Sequence, residues 1–340
     1  MPITENEYMC RVCRAKGSFP TYSVREMMFG TRETFSYFQC THCDCLQITD
    51  VPPDLAQYYP PTYYSFGSEF KGNSQGALQR WLQKQRCRTA VFGRGFRMNA
   101  IAKRLVPLPD ALHRVQGGLS TGTVLKKAGI RDFGARFLDV GCGAFSSWLH
   151  DLSELGFDNL TGVDPYIESD RNYGAVKVFK RTLAEIEGRY DLITFHHSLE
   201  HMADQTRALA EARDLLTPGG TLLVRVPLVS SLAWERYGVY WVELDAPRHL
   251  YLHSIASLTG VASEARLELA EVVHDSLPLE FYGSEQYLRD IPLTDPRSLW
   301  VDEESTLFTA EEKVSFAELA KRANSEGRGG RAGFYFRAIP

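Results

Sequence analysis

The stretch Arg136–Asp164, RFLDVGCGAFSSWLHDLSELGFDNLTGVD, reads as a strand, a glycine turn, a helix and a second strand. Phe137, Leu138 and Val140 form the short apolar run expected of a parallel strand buried on both faces. Gly141 and Gly143 end it, and a helix is predicted from about Phe145 to Leu155, with Gly156 as its C-cap. Leu160 to Val163 is the next strand. Asp164 stands at its carboxyl end, where open α/β sheets bind ligands. The two glycines let backbone approach a ligand where a Cβ would clash. Asp164, 21 positions after Gly143, is placed to accept hydrogen bonds from both hydroxyls of a ribose.

That spacing also suits a nicotinamide dinucleotide, so the details decide. A G-x-G-x-x-G loop wants a third glycine where Ser146 stands, and Asp139 lies just before the turn. A carboxylate there repels a pyrophosphate but pairs with the ammonium of an amino acid. A ligand with an ammonium at one end and a ribose in the middle is S-adenosylmethionine. The order Phe137-Leu138-Asp139-Val140-Gly141-Cys142-Gly143 resembles the first motif of the class I methyltransferases, and Gly162-Val163-Asp164-Pro165 resembles their second. The resemblance implies cofactor contacts from Asp139, Gly141, Cys142, Gly143, Asp164 and Pro165.

Downstream, Ala175–Phe179, Tyr190–Phe195 and Thr221–Val226 read as strands separated by helical or loop segments, and Asp204–Leu216 has helical periodicity. Leu267–His274 and Gly333–Ile339 add a sixth and a seventh strand, with an acidic helix near 309–326 between them. This alternation predicts a doubly wound, Rossmann-like α/β sheet, with the seven strands of the methyltransferase fold. The resemblance puts adenine contacts at Thr182 and Leu183. His196-His197-Ser198-Leu199-Glu200-His201 resembles the fourth motif of small-molecule methyltransferases, beside the transferred methyl group, with His196 on the cofactor side. Leu215-Leu216-Thr217-Pro218-Gly219-Gly220-Thr221 resembles a late signature of the same fold.

Seven cysteines without a disulfide-rich context, four of them in matched pairs, point to metal. Cys10-x-x-Cys13 and Cys40-x-x-Cys43, with 26 residues between them, are spaced to close a tetrahedral structural zinc site; His42 and Cys45 are additional possible ligands. The expected organisation is a zinc-binding module over 1–50, a Tyr/Pro-rich segment and basic helical linker over 51–117, and the methyltransferase domain over 118–340. Within that domain an aromatic-rich insertion spans about 228–257. Tyr63 or Tyr64 is a candidate to line the active site, Tyr64 the one assigned to the cofactor side.

Taken together the pieces resemble bacterial methyltransferases with an N-terminal four-cysteine zinc segment, including deoxysugar C-methyltransferases of natural-product pathways and relatives from polysaccharide gene clusters. The resemblance implies a sugar or nucleotide sugar as a small-molecule acceptor and a histidine as general base. His249 matches the base position, although Arg248 precedes it where that family carries an acid, so oxygen, nitrogen and carbon all stay open as methyl acceptors. His197 and His201 are alternatives, and Glu200 can orient one of them. Arg248 is read as a partner for a phosphate or carboxylate on the acceptor, and His253 as either a surface residue or a partner of His249.

Net charge is −4, hydrophobic residues make up 44% and charged residues 24%. That balance argues against nucleic acid as the partner, although an RNA methyltransferase reading substrate through its zinc module is the alternative function. No run is long and apolar enough for a membrane span, and the first residues carry no basic-then-apolar leader, so a cytoplasmic enzyme is expected. Oligomeric state is not legible.

Overall fold

In the computed structural model, which describes residues 5–60, 77–116 and 119–339, four antiparallel strands come first. They are β1 (Glu5–Met9), β2 (Lys16–Arg25), β3 (Thr34–Gln39) and β4 (Leu46–Ile48). The turns after β1 and β3 are copies of one another. Cys10 N bonds Ala15 O and Arg14 N bonds Cys10 O; Cys40 N bonds Cys45 O and Asp44 N bonds Cys40 O. Arg14 and Asp44 hold the matching left-handed position, at φ 63° and 58°. Two equal CxxC spacings therefore fold into two equal knuckles.

The helices α1 (Ala77–Phe92) and α2 (Phe96–Ala102) follow, then the two-residue pair β5 (Val115–Gln116) and β6 (Leu119–Ser120), and α3 (Thr121–Lys127). β7 (Arg136–Val140), α4 (Ser147–Leu155) and β8 (Asn159–Val163) make the unit read from the sequence. The helix starts two residues later than predicted because Ser146 caps it, its Oγ accepting from Leu149 N at 3.0 Å. Gly156, at φ 102°, closes it as expected. β9 (Arg171–Tyr173), β10 (Val176–Phe179), β11 (Tyr190–His196), α5 (Gln205–Asp214), β12 (Leu216–Pro227) and α6 (Leu232–Tyr237) come next. The chain ends with β13 (Tyr251–Leu252), α7 (Ile255–Glu264), β14 (Leu267–His274), α8 (Leu279–Leu288), α9 (Ala310–Ser325) and β15 (Arg331–Ala338).

The main sheet runs β14-β15-β12-β11-β7-β8-β10-β9. Strands β10, β8, β7, β11 and β12 are mutually parallel and β15 is antiparallel to both its neighbours. Each of the seven expected strands has a counterpart here, but the sheet has eight. The addition is β9, which Gly174 (φ 76°) folds back antiparallel onto β10. The sequence order reverses between β7 and β11, which makes that crevice the switch point where such sheets bind ligands. Apolar side chains leave both faces. Leu138, Ile193 and Val224 pack with Phe38 and Leu46 of the N-terminal sheet, whereas Phe137, Leu192 and Leu223 pack with Trp148, Leu149 and Phe157.

The aromatic insertion lies mostly in the interior. Trp241 is fully buried and Tyr237 nearly so, while Tyr240 is exposed. Its last part supplies β13, which pairs antiparallel with β4 (Tyr251 with Gln47, Leu252 with Leu46) and becomes the fifth strand of the N-terminal sheet. Tyr37 Oη donates to His249 O at 2.9 Å, and Ser254 Oγ donates to Cys43 O at 2.7 Å.

Candidate active site

The glycine turn is built tightly from its own neighbours. Gly141 has φ 70° and Gly143 φ 67°, and a Cβ on Gly141 would fall 2.6 Å from Ser198 Cβ. Gly143 N donates to Asp164 Oδ2 at 2.9 Å and Tyr166 N donates to Asp164 Oδ1 at 2.8 Å, so the carboxylate is aimed from the end of β8 across the loop. Asp139 is buried, with Oδ2 accepting from Ser146 Oγ and Oδ1 from Thr194 Oγ1, both at 2.7 Å. Burial pushes its carboxyl up to about 6, against the pull of those two hydroxyls. Each oxygen retains a further lone pair. Sequence reasoning missed Thr194 and Ser146 as its partners. The hydroxyl four positions into β11, opposite Asp139 in the parallel register, is the signal that could have found Thr194.

The Cys142 thiol turns into the sheet, where a Cβ on Gly162 would stand 2.6 Å from Sγ, and Cys142 N donates to Val163 O at 3.4 Å. Thr182 is exposed and Leu183 buried just beyond β10, with Thr182 N and Oγ1 both donating to Glu185 Oε2. Pro165 follows Asp164 at the loop surface. Tyr63 and Tyr64 lie outside the described residues.

Beside the end of β11, two buried donors have no partner among the described residues. Arg225 Nη1 lies 3.3 Å from His196 Nδ1; a guanidinium can only donate, so Nδ1 accepts and Nε2 carries the proton. That Nε2 is buried and unpaired, as is Trp148 Nε1, whose ring lies 5.4 Å from the His196 ring. Burial, then Arg225, holds His196 well below the ordinary imidazole value. A ligand bringing acceptor oxygens, such as an amino-acid carboxylate, suits these two N–H groups.

The remaining candidates gather on one wall. His197 has φ 52°, and its Nδ1 lies 3.4 Å from Glu200 Oε1. Glu200 is fully buried, and burial pushes its carboxyl up to about 8. His201 Nδ1 lies 2.9 Å from Arg248 O and 3.1 Å from Tyr59 Oη. His249 Nδ1 lies 2.7 Å from Glu243 O, and burial, then His201, pulls its value down to about 3. The His201 and His249 rings meet edge-on, 4.8 Å apart. Burial likewise lowers His197 and His201. Behind them, Arg225 pairs with Asp275 and Arg331 with Glu243, both at 2.8 Å, and Glu280 lies 3.9 Å from Arg331. These pairs come from strands and loops distant in sequence, and no local pattern announces them.

Two readings fall here. Arg248 is fully buried: Nε holds Asp245 Oδ1 at 3.0 Å, Nη2 holds Glu26 Oε1 at 2.8 Å and Nη1 holds Tyr58 O at 3.1 Å. Every face of the guanidinium is used, so it does not serve an acceptor anion. His253 is neither at the surface nor beside His249; it is buried between Ser257 Oγ (2.9 Å) and Gln205 Oε1 (2.8 Å).

The four paired cysteines converge. Cys10 and Cys43 sulfurs are 3.7 Å apart and Cys13 and Cys40 sulfurs 3.6 Å, too far for a disulfide and close to the ~3.8 Å edge of a tetrahedron with ~2.3 Å zinc–sulfur bonds. Gln47 Nε2 and the amides of Cys13 and His42 donate to these sulfurs. His42 is exposed and outside the group, and Cys45 turns away toward His253.

A switch-point crevice with a glycine turn and an Asp at the end of the next strand fits a class I methyltransferase. A family model described as a methyltransferase domain matches residues 76–272, and the chain belongs to that family. It is an S-adenosylmethionine-dependent methyltransferase. A search of curated proteins found no match. Among solved structures it is similar to a geranyl diphosphate C-methyltransferase from Streptomyces coelicolor A3(2), at 14% identity over 64% of this chain and 78% of that one, TM-score 0.43. It is also similar to an S-adenosylmethionine-dependent methyltransferase from Mesorhizobium loti (14%, 65% and 100%, TM-score 0.41). The CcbJ methyltransferase from Streptomyces caelestis is a further likeness (17%, 69% and 91%, TM-score 0.38). Likenesses this distant say nothing of the acceptor. Among the described residues no helix is long and apolar enough to cross a membrane.

Proposed function

We propose that the protein methylates a small polar acceptor, a sugar or sugar-containing metabolite such as a nucleotide sugar, held against the wall formed by His197, Glu200, His201 and His249. When bound, S-adenosylmethionine supplies an electrophilic methyl on its sulfonium. Asp164 accepts from its ribose hydroxyls, Asp139 faces its ammonium, and the unpaired N–H groups of His196 and Trp148 suit its carboxylate. Removal of the acceptor's proton depends on His249. The observation that carries this reading is its tautomer: Glu243 O can only accept, so Nδ1 is the protonated nitrogen and Nε2 keeps its lone pair. Oxygen and carbon acceptors both require that proton to leave.

The four cysteines hold a structural zinc in the same proposal, supported by their sulfur spacing and by the two matched knuckles. Zinc there fixes β4, and β4 fixes the strand that follows His249. The test is a panel of nucleotide sugars incubated with labelled S-adenosylmethionine, beside calorimetry of cofactor binding. Methyl incorporation into a panel member, lost in His249→Ala while cofactor affinity persists, supports the reading. Full turnover in His249→Ala would sink the role given to that residue.

A further inference from the structure

Glu200 presents a problem that the methyltransferase reading leaves unsolved. Its side chain is fully buried, and neither carboxylate oxygen accepts a hydrogen bond from any described residue. Buried carboxylates are ordinarily paired, hydrogen-bonded or coordinated to a metal. His197 Nδ1 lies 3.4 Å from Oε1, and one ring nitrogen each from His201 and His249, with one Glu200 oxygen, all lie within 4.8 Å of one another.

The two rings are prepared in the same way. His201 Nδ1 faces Arg248 O at 2.9 Å and His249 Nδ1 faces Glu243 O at 2.7 Å. Carbonyl oxygens only accept, so each Nδ1 carries the proton and each Nε2 keeps its lone pair. A metal-ligating histidine is characteristically fixed like this, with its other N–H given to a backbone carbonyl. The three residues do not come from one local turn. Glu200 and His201 end the segment after β11, and His249 precedes β13; Leu250 N donates to Glu200 O at 2.9 Å and locks the two segments together. Arg225 and Arg331, the nearby cations, are occupied by Asp275 and Glu243, so neither neutralises Glu200 by a direct bond.

We infer that Glu200, His201 and His249 hold a divalent cation, and that His249 acts on the acceptor's proton through it. The inference rests on the acceptor site described under Proposed function and deepens it. One carboxylate and two imidazoles are borderline donors that favour a first-row transition ion such as Mn2+, Fe2+, Co2+ or Zn2+ over Mg2+ or Ca2+. Three protein ligands leave positions open for an oxygen of the acceptor, whose hydroxyl is thereby acidified. In the His197 tautomer whose Nδ1–H faces Glu200 Oε1 (3.4 Å), the buried, unpartnered Nε2 takes the hydroxyl proton, and an oxygen electron pair forms the new bond to the methyl carbon. The pair of the broken sulfur–methyl bond stays on sulfur, leaving S-adenosylhomocysteine. The neighbouring Asp245, Glu243 and Glu280 are engaged with Arg248 and Arg331, which leaves Glu200 as the carboxylate for the ion.

The test uses the full-length protein with the metal of its cysteine site retained, titrated with Mn2+ and followed by the loss of the free-ion paramagnetic resonance signal. One Mn2+ site per chain is expected. Glu200→Gln and His201→Ala should each weaken it at least 10-fold, with the cysteine-bound metal unchanged by elemental analysis. Unchanged S-adenosylmethionine affinity and circular dichroism in Glu200→Gln keep misfolding from imitating that result. Equal Mn2+ affinity in wild type and Glu200→Gln overturns the inference, and so does no Mn2+ binding at millimolar ion. If Mn2+ fails to bind while His249→Ala still abolishes turnover, the cation is refuted and His249 takes the proton directly. If S-adenosylmethionine itself fails to bind, the reading beneath the inference falls first.

Discussion

Replacing Arg248 tests its role as a buried tie against the acceptor-ligand reading. The guanidinium joins Glu26 just after β2, Asp245 of the insertion and the Tyr58 carbonyl, and it is fully buried. Arg248→Met fills much of the volume without the charge. Glu26 keeps three donors, Phe29 N, Thr31 N and Thr31 Oγ1 at 2.9–3.2 Å, so its anion is only partly stranded. Asp245, which Arg248 holds below the usual carboxylate range against its burial, loses its main counter-charge. Breaking a buried pair from one side costs about 3–5 kcal/mol, and the donors left on Glu26 place this variant at the lower end, about 3 kcal/mol. Urea unfolding measures the loss. In the double variant with Glu26→Gln, the two changes should be clearly non-additive, because they share one bond. A stable Arg248→Met protein, within about 0.5 kcal/mol of wild type, whose only defect is a raised KM for the acceptor, would refute the structural role and restore the anion-binding one.

Three further outcomes are expected. Asp164→Ala should weaken S-adenosylmethionine binding by roughly 10- to 100-fold, the worth of charge-assisted bonds to the ribose, and calorimetry reads it directly. Gly162→Ala drives a methyl to 2.6 Å from Cys142 Sγ and should displace the glycine turn, at a cost of about 1–3 kcal/mol. Adding Cys142→Ala should recover much of the cofactor affinity, and no recovery means the thiol is not what the new methyl meets. His253, buried and lowered to about 3, must stay neutral in the folded chain. Its folded value lies below its unfolded one, so its contribution is complete above about pH 6.5 and drains away as pH falls toward 3. Thermal melts from pH 7 to 4 should show a shallower loss in His253→Asn than in wild type.

The strand, turn and helix at 136–164 were legible because parallel strands buried on both faces are continuous apolar runs and because glycines mark positive φ. The CxxC pairs were legible for a similar reason: identical local sequence made identical turns. What the sequence hid was contact between distant segments. The pairing of two-residue β13 with β4 crosses about 200 residues and carries no periodic signal of its own. Arg248 misled because an Arg beside a candidate base suggests an anion site, and nothing local shows that Glu26 waits for it. Cys142 hid its packing for another reason. A motif position implies ligand contact, yet the missing side chain at Gly162 gave the thiol a place inside.

The pairing of β13 with β4 also bears on how the chain is born. β4 is complete when residue 48 emerges, but the strand that covers its open edge arrives only at residues 251–252. At typical synthesis rates of 5–20 residues per second, that edge waits roughly 10–40 s. During the interval it is an unpaired row of N–H and C=O groups, the kind of edge that invites pairing with a neighbouring nascent chain. The N-terminal seventh of this enzyme is thus dependent, during its own synthesis, on a strand the ribosome has yet to make.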